Sequence, residues 1–180
     1  MKRFALLMLG LMVLAVPAMA DINPLVGDIS IYADAEGNSC DLTFSNGGHW
    51  FLVHKFDPGE QATGARFKLV VPAGIIIAGT TPYVTIGNLA TDLSIAYGVC
   101  TTSTIMIYDL NTFGTAPVAC EYATLTLPDV VSPYPLATDC DFGEYEMKVG
   151  QGIINNAGGC PACNVKSEAT SWGKVKSLYR

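Results

Sequence analysis

Apolar and polar positions along this chain alternate in short runs, and turn-forming residues interrupt them every roughly eight to twelve positions. The clearest run is 65–71, where Ala65, Phe67, Leu69 and Val71 face one way and Arg66 and Lys68 face the other. A period of two gives one buried and one wet face, the behaviour of an antiparallel sheet. Ile105 and Ile107 oppose Met106 and Tyr108 in the same manner, and Tyr122, Thr124 and Thr126 oppose Ala123, Leu125 and Leu127. Strands are therefore predicted over 28–33, 40–45, 50–56, 65–71, 74–78, 83–86, 93–97, 104–110 and 120–127. Asn46-Gly47-Gly48, Asp57-Pro58-Gly59 and Gly87-Asn88 supply the positive or preset φ that chain reversal needs. After Leu127 the run to Pro135 is too rich in proline for a central strand and is expected on an edge or in a loop. The whole reads as an all-β, antiparallel β-sandwich.

Both ends of the chain depart from this pattern. Lys2-Arg3, the apolar run 4–16 and Pro17-Ala18-Met19-Ala20 have the three-part form of a secretory signal peptide, predicted over residues 1–20. The mature chain then starts near Asp21 as a single domain over 21–163. No later stretch approaches the ~18 apolar residues of a membrane span, and with Cys40 as the first cysteine a lipid-anchored form is disfavoured. Residues 21–163 carry four basic and fifteen acidic side chains, whereas 164–180 carry four basic and one acidic. In that tail Trp172, Val175, Leu178 and Tyr179 share one face if a helical turn follows Ser171, although Gly173 and the basic first turn oppose a helix. The tail is therefore a candidate interaction element, with Lys174, Lys176 and Arg180 beside those apolar residues. An acidic body without a basic aromatic patch argues against nucleic acid as a partner.

Cys40, Cys100, Cys120, Cys140, Cys160 and Cys163 form an even set, and in an exported protein their expected fate is disulfide bonding. Six cysteines allow 15 pairings. A local staple between Cys100 and Cys120 suits the run they flank, leaving four to tie the start of the domain and the Cys140 segment to the Cys160–Cys163 loop. A thioredoxin-like site, a covalent haem site or a zinc site would each need a partner that the flanking residues do not supply.

Candidate chemistry is sparse, and neither an enzyme nor a cofactor is expected. His49 and His54, five residues apart on one strand, project to opposite faces and cannot share a metal without a bulge; each is expected at the surface or beside a turn. Asp34, Glu36, Asn38 and Asp41 around Gly37 form an oxygen-rich turn and a weak calcium candidate, lacking the distal Glu of an EF-hand loop. Asp139, Asp141, Glu144 and Glu146 are a second acidic cluster, read as a wet loop rather than as catalytic carboxylates. Trp50, Tyr83, Tyr97 and Tyr134 are the candidates for a sugar platform, with Trp50 as much a core residue.

Several stretches resemble a family of small secreted, cysteine-containing β-sandwich proteins of environmental Gram-negative bacteria, to which no activity is attached. They are Ile31-Tyr32-Ala33-Asp34-Ala35-Glu36-Gly37-Asn38-Ser39-Cys40, Asp139-Cys140-Asp141, and the closing Ser171-Trp172-Gly173-Lys174-Val175-Lys176-Ser177-Leu178-Tyr179-Arg180. A more distant similarity to cohesin-like sandwiches lies in 65–72 and 93–97. The resemblance implies secretion and a sandwich of immunoglobulin-like, cohesin-like or jelly-roll type, stapled by disulfides. The function expected is contact, as an extracellular or cell-surface structural or adhesive module with a protein or glycan partner, in the periplasm or outside the cell. A carbohydrate-binding module and, further off, a secreted hydrolase are the alternatives.

Overall fold

The computed structural model describes residues 29–127, 134–155 and 160. Twelve strands run in chain order: β1 (Ile29–Tyr32), β2 (Asp41–Leu42), β3 (Gly48–His54), β4 (Ala62–Val70), β5 (Ile75–Thr80) and β6 (Val84–Asn88). They continue as β7 (Asp92–Thr101), β8 (Ile105–Gly114), β9 (Glu121–Thr126), β10 (Leu136–Thr138), β11 (Glu144–Glu146) and β12 (Gly152–Ile154). The protein is an all-β sandwich, and the described residues contain no helix. The nine sequence-predicted strands all occur, with ends shifted by a few residues; β10, β11 and β12 are additional.

One sheet has four strands in the order β1-β3-β8-β5, all antiparallel. The other has eight, along β11-β10-β4-β9-β12-β2, with β7 also on β4 and β6 on β7. The β12–β2 pair is parallel and the other ladders of that sheet are antiparallel. β4 is the hub, pairing with β7, β9 and β10; its Ala65, Phe67 and Leu69 are buried and the following Val71 half-buried, while Arg66 and Lys68 lie on the wetter face. Trp50, Leu52, Ile107 and Leu110 of the smaller sheet meet Phe67, Leu93, Ile95 and Leu125 of the larger in one apolar core. Burial of apolar area of this kind is the main favourable term in folding.

Two local features differ from simple alternation. A register shift against β3 between Leu52 and Val53 places Leu52 opposite Tyr108 and Val53 opposite Met106, so Ile107 is the extra residue of a bulge. Ile107 and Tyr108 are consequently both buried, where alternation would oppose them. The reversal between β6 and β7 falls on 89–91 rather than on Gly87-Asn88: Asn88 Oδ1 accepts from Ala90 N–H at 2.8 Å, and its carbonyl accepts from Thr91 N–H at 3.1 Å. Gly87, at φ 98°, precedes the last residue of β6, and a Cβ there would collide with the Asp92 carbonyl.

The disulfides correct the expected local staple. Cys100 bonds Cys140 and Cys120 bonds Cys160, with Cα–Cα distances of 5.5 and 5.2 Å. The reason is the geometry of β4: Thr101 pairs with Ala62 at one end and Thr124 with Val70 at the other. About eight strand steps, roughly 26 Å, therefore separate the Cys100 end from the Cys120 end. Thr138 pairs with Gly64, which carries Cys140 to the Cys100 end. Cys40 is also disulfide-bonded; Cys163 lies outside the described residues.

Candidate interaction face and buried histidine

Two rows of side chains cross five strands on the outer face of the larger sheet. Strand pairing aligns Val84, Ala96, Gly64, Thr138 and Glu144 in one row, and Ile86, Ser94, Arg66, Leu136 and Glu146 in the next. Paired residues share a face, so these rows form a continuous surface. Its β6 end is apolar: Val84 is 72% and Ile86 77% exposed, beside exposed Ala96. Gly64 lies at its centre, where a Cβ would sit 2.5 Å from the Ile95 carbonyl oxygen. Arg66 crosses the centre and clasps Asp92 with two bonds, Nε–Oδ1 at 3.0 Å and Nη2–Oδ2 at 2.8 Å. That hydrogen bonding holds the Asp92 carboxyl below its ordinary range. The far end is acidic, with Glu144 and Glu146 exposed.

The two histidines of β3 do face opposite sides, and their environments differ sharply. His49 is exposed, with Nδ1 2.7 Å from Asp109 Oδ1 across the strand pair. His54, expected at the surface, is instead fully buried. It has the parity of Trp50 and Leu52, which carries it inward; its ring stacks on Phe56 at 4.1 Å between centroids and meets Tyr97 edge-on at 5.9 Å. His54 Nδ1 and the Tyr97 hydroxyl share a 2.9 Å hydrogen bond, while Nε2 has no partner among the described residues. Burial disfavours the imidazolium and pulls the pKa of His54 down to about 3. Burial also raises the Tyr97 phenol, with Tyr145 and Tyr83 adding to the effect.

The acidic turn at Asp34 spends its oxygens internally. Asn38 N–H donates to Asp34 Oδ1 at 2.8 Å and Ser39 N–H to Oδ2 at 2.8 Å. Lys55 Nζ donates to the Gly37 carbonyl at 2.6 Å, so a cation already sits against this loop. Asp41, at the start of β2, and Glu36 in the turn are both exposed. Asp139 acts similarly: its Oδ1 accepts from Asp141 N–H at 2.9 Å and Gly143 N–H at 2.7 Å, closing the β10–β11 hairpin. Asp141, Glu144 and Glu146 are exposed on that hairpin rather than facing one another across a cleft. Of the aromatic candidates, Trp50 and Tyr97 are buried, Tyr83 packs edge-on against Tyr97 at 5.4 Å, and Tyr134 is 39% exposed. Phe142, 82% exposed at the hairpin tip, carried no pattern that would have marked it in the sequence.

Trp172, Lys174, Val175, Lys176, Leu178, Tyr179 and Arg180 lie outside the described residues, as does the expected signal peptide. No described helix is long and apolar enough to cross a membrane. Among the described residues no group of three or more His, Cys, Asp or Glu is placed to hold a metal ion.

No family model matches the chain, and no curated protein matches it. A similar solved structure is a cohesin module from a family 33 glycoside hydrolase of Clostridium perfringens ATCC13124. It has 12% identity and a TM-score of 0.46, over 73% of this chain and 98% of that one. At that identity and score the likeness carries no inference about function.

Proposed function

We propose that this protein is an exported, non-enzymatic β-sandwich that works by contact, as an extracellular or cell-surface structural or adhesive module. The observation that carries the reading is the outer face of β6, β7, β4, β10 and β11. It is a five-strand surface with exposed Val84 and Ile86 at one end and Glu144 and Glu146 at the other. Apolar side chains grouped on a rigid sheet are the ordinary mark of a surface made to be covered. The bonded cysteines suit a compartment that does not reduce thiols, which favours secretion.

The carbohydrate-binding alternative gains less from the structure, since Trp50 and Tyr97 are committed to the core. The hydrolase alternative gains least, because Asp139 closes a hairpin and its acidic neighbours are solvated. Retention of the purified protein on envelopes of its source cell, with a glycan array in parallel, tests the reading. Retention on envelopes without retention of defined sugars is expected. Selective binding of one sugar class would replace contact by carbohydrate recognition.

A further inference from the structure

The side of the sandwich where β5 and β6 end their sheets holds an apolar groove that the outer face does not use. Among the described residues β5 pairs only with β8, and β6 only with β7. Neither strand contains a charged residue, although charges are a usual device for blunting a sheet edge. Between these edges lies a half-open groove of about 390 Å³, floored by Leu69, Val71, Ile75, Ile77 and Tyr108, with Leu89 on one wall. Ile76, 65% exposed, stands on its rim. We propose that the C-terminal segment of the same chain, residues 172–179, occupies this groove.

Three observations select that occupant. The first is where the described chain ends: Cys160 is bonded to Cys120, and Cys120 lies beyond the Val70 end of β4, the end that supplies Leu69 and Val71 to the groove. Thr115 N–H also donates to the Gly74 carbonyl beside Ile75, and Cys120 follows Thr115 by five steps of chain, a span of at most about 18 Å. The second is length. Cys40 is bonded and Cys163 is the one cysteine left for it, so nine steps of chain run from that tether to Trp172; extended they reach roughly 30 Å, against about 14 Å for the three strand spacings between β2 and β4.

The third is chemistry. Trp172, Val175, Leu178 and Tyr179 are large apolar groups that match an apolar, uncharged trough. Lys174, Lys176 and Arg180 are drawn to a body of four basic and fifteen acidic residues. The groove and the Val84–Ile86 face are different surfaces, so this proposal stands or falls independently of the contact reading.

Acrylamide quenching of Trp172 in the full chain tests it, using the difference between the protein and its Trp172→Phe variant to remove the Trp50 signal. Trp172 is expected to be quenched severalfold less than in a free peptide of residues 164–180. Ile76→Lys and Ala90→Lys, at two exposed lining positions, are expected to restore peptide-like quenching with an unchanged melting temperature. Val84→Lys on the outer face is expected to leave the shielding in place. Peptide-like quenching in the unsubstituted protein would overturn the proposal. So would shielding that survives both groove variants, or that vanishes on dilution and thereby assigns the tail to a neighbouring copy.

Discussion

His54 Nδ1 and the Tyr97 hydroxyl, 2.9 Å apart, join the two sheets through the core, since His54 belongs to β3 of the four-stranded sheet and Tyr97 to β7 of the other. The bond is buried, and the second ring nitrogen has no described partner, so protonation would place an uncompensated charge between Phe56 and Tyr97. A buried polar contact of this kind fixes the register of the sheets at the cost of sensitivity to acid.

That sensitivity has a definite sign. The pKa of His54 is about 3 in the folded protein against 6.5 for an ordinary histidine. Between those values the unfolded chain binds the extra proton, so stability is fully present above pH 6.5 and declines as pH falls towards 3. The slope approaches about 1.4 kcal/mol per pH unit from this group alone. Melting curves between pH 7 and 5, where most carboxylates stay ionised, are expected to show the decline. His54→Gln, which can still bond Tyr97, is expected to flatten it. An identical slope in the variant would assign the acid response to other groups.

The disulfides make a second prediction. Each described bridge joins residues 40 positions apart, and closing a loop of that length is worth up to about 4 kcal/mol through restriction of the unfolded chain. Mass mapping of the unreduced protein is expected to return Cys100 with Cys140 and Cys120 with Cys160. A Cys100–Cys120 peptide would contradict the strand arrangement at β4. Cys100→Ser with Cys140→Ser is expected to lower the melting temperature while keeping the β-sheet circular dichroism.

The Asp34 turn gives a third. With both carboxylate oxygens bonded to backbone N–H groups and Lys55 against the Gly37 carbonyl, calorimetry with millimolar Ca²⁺ is expected to show no binding heat. Asp34→Ala is expected to cost about 1 kcal/mol, the scale of a lost side-chain cap on backbone donors. Strong Ca²⁺ binding that Asp34→Ala abolishes would mean that the loop rearranges around a metal.

Core substitutions should rank by burial. Phe67→Ala, at a fully buried position in the centre of β4, is expected to cost about 3–5 kcal/mol through lost contacts and the cavity left behind. Phe142→Ala at the exposed hairpin tip should fall within about 0.5 kcal/mol. Urea melts of the two variants check the order.

Much of this was legible where one residue in two faces the core. The alternation from Ala65 to Val71 gave β4 its faces, and that from Tyr122 to Leu127 did the same for β9. His54 was readable too: it shares the parity of Trp50 and Leu52, and a polar side chain at an inward position is a buried one. β10, β11 and β12 were not readable, because three residues are too few to display a period and β11 presents Glu-Tyr-Glu with no apolar run. The disulfide partners could not be read because they depend on which ends of β4 its neighbours reach, a long-range fact without a local signature. The interaction face escaped for a similar reason: Val84, Ala96 and Gly64 meet only through strand order.

The central claim is that this face makes the contact, and a binding titration against envelopes of the source cell tests it most directly, comparing the unsubstituted protein with Val84→Lys/Ile86→Lys. The double variant changes two exposed side chains, so its melting temperature should hold while retention on the envelopes is lost. Equal retention of a folded double variant would show that the protein is held by some other surface.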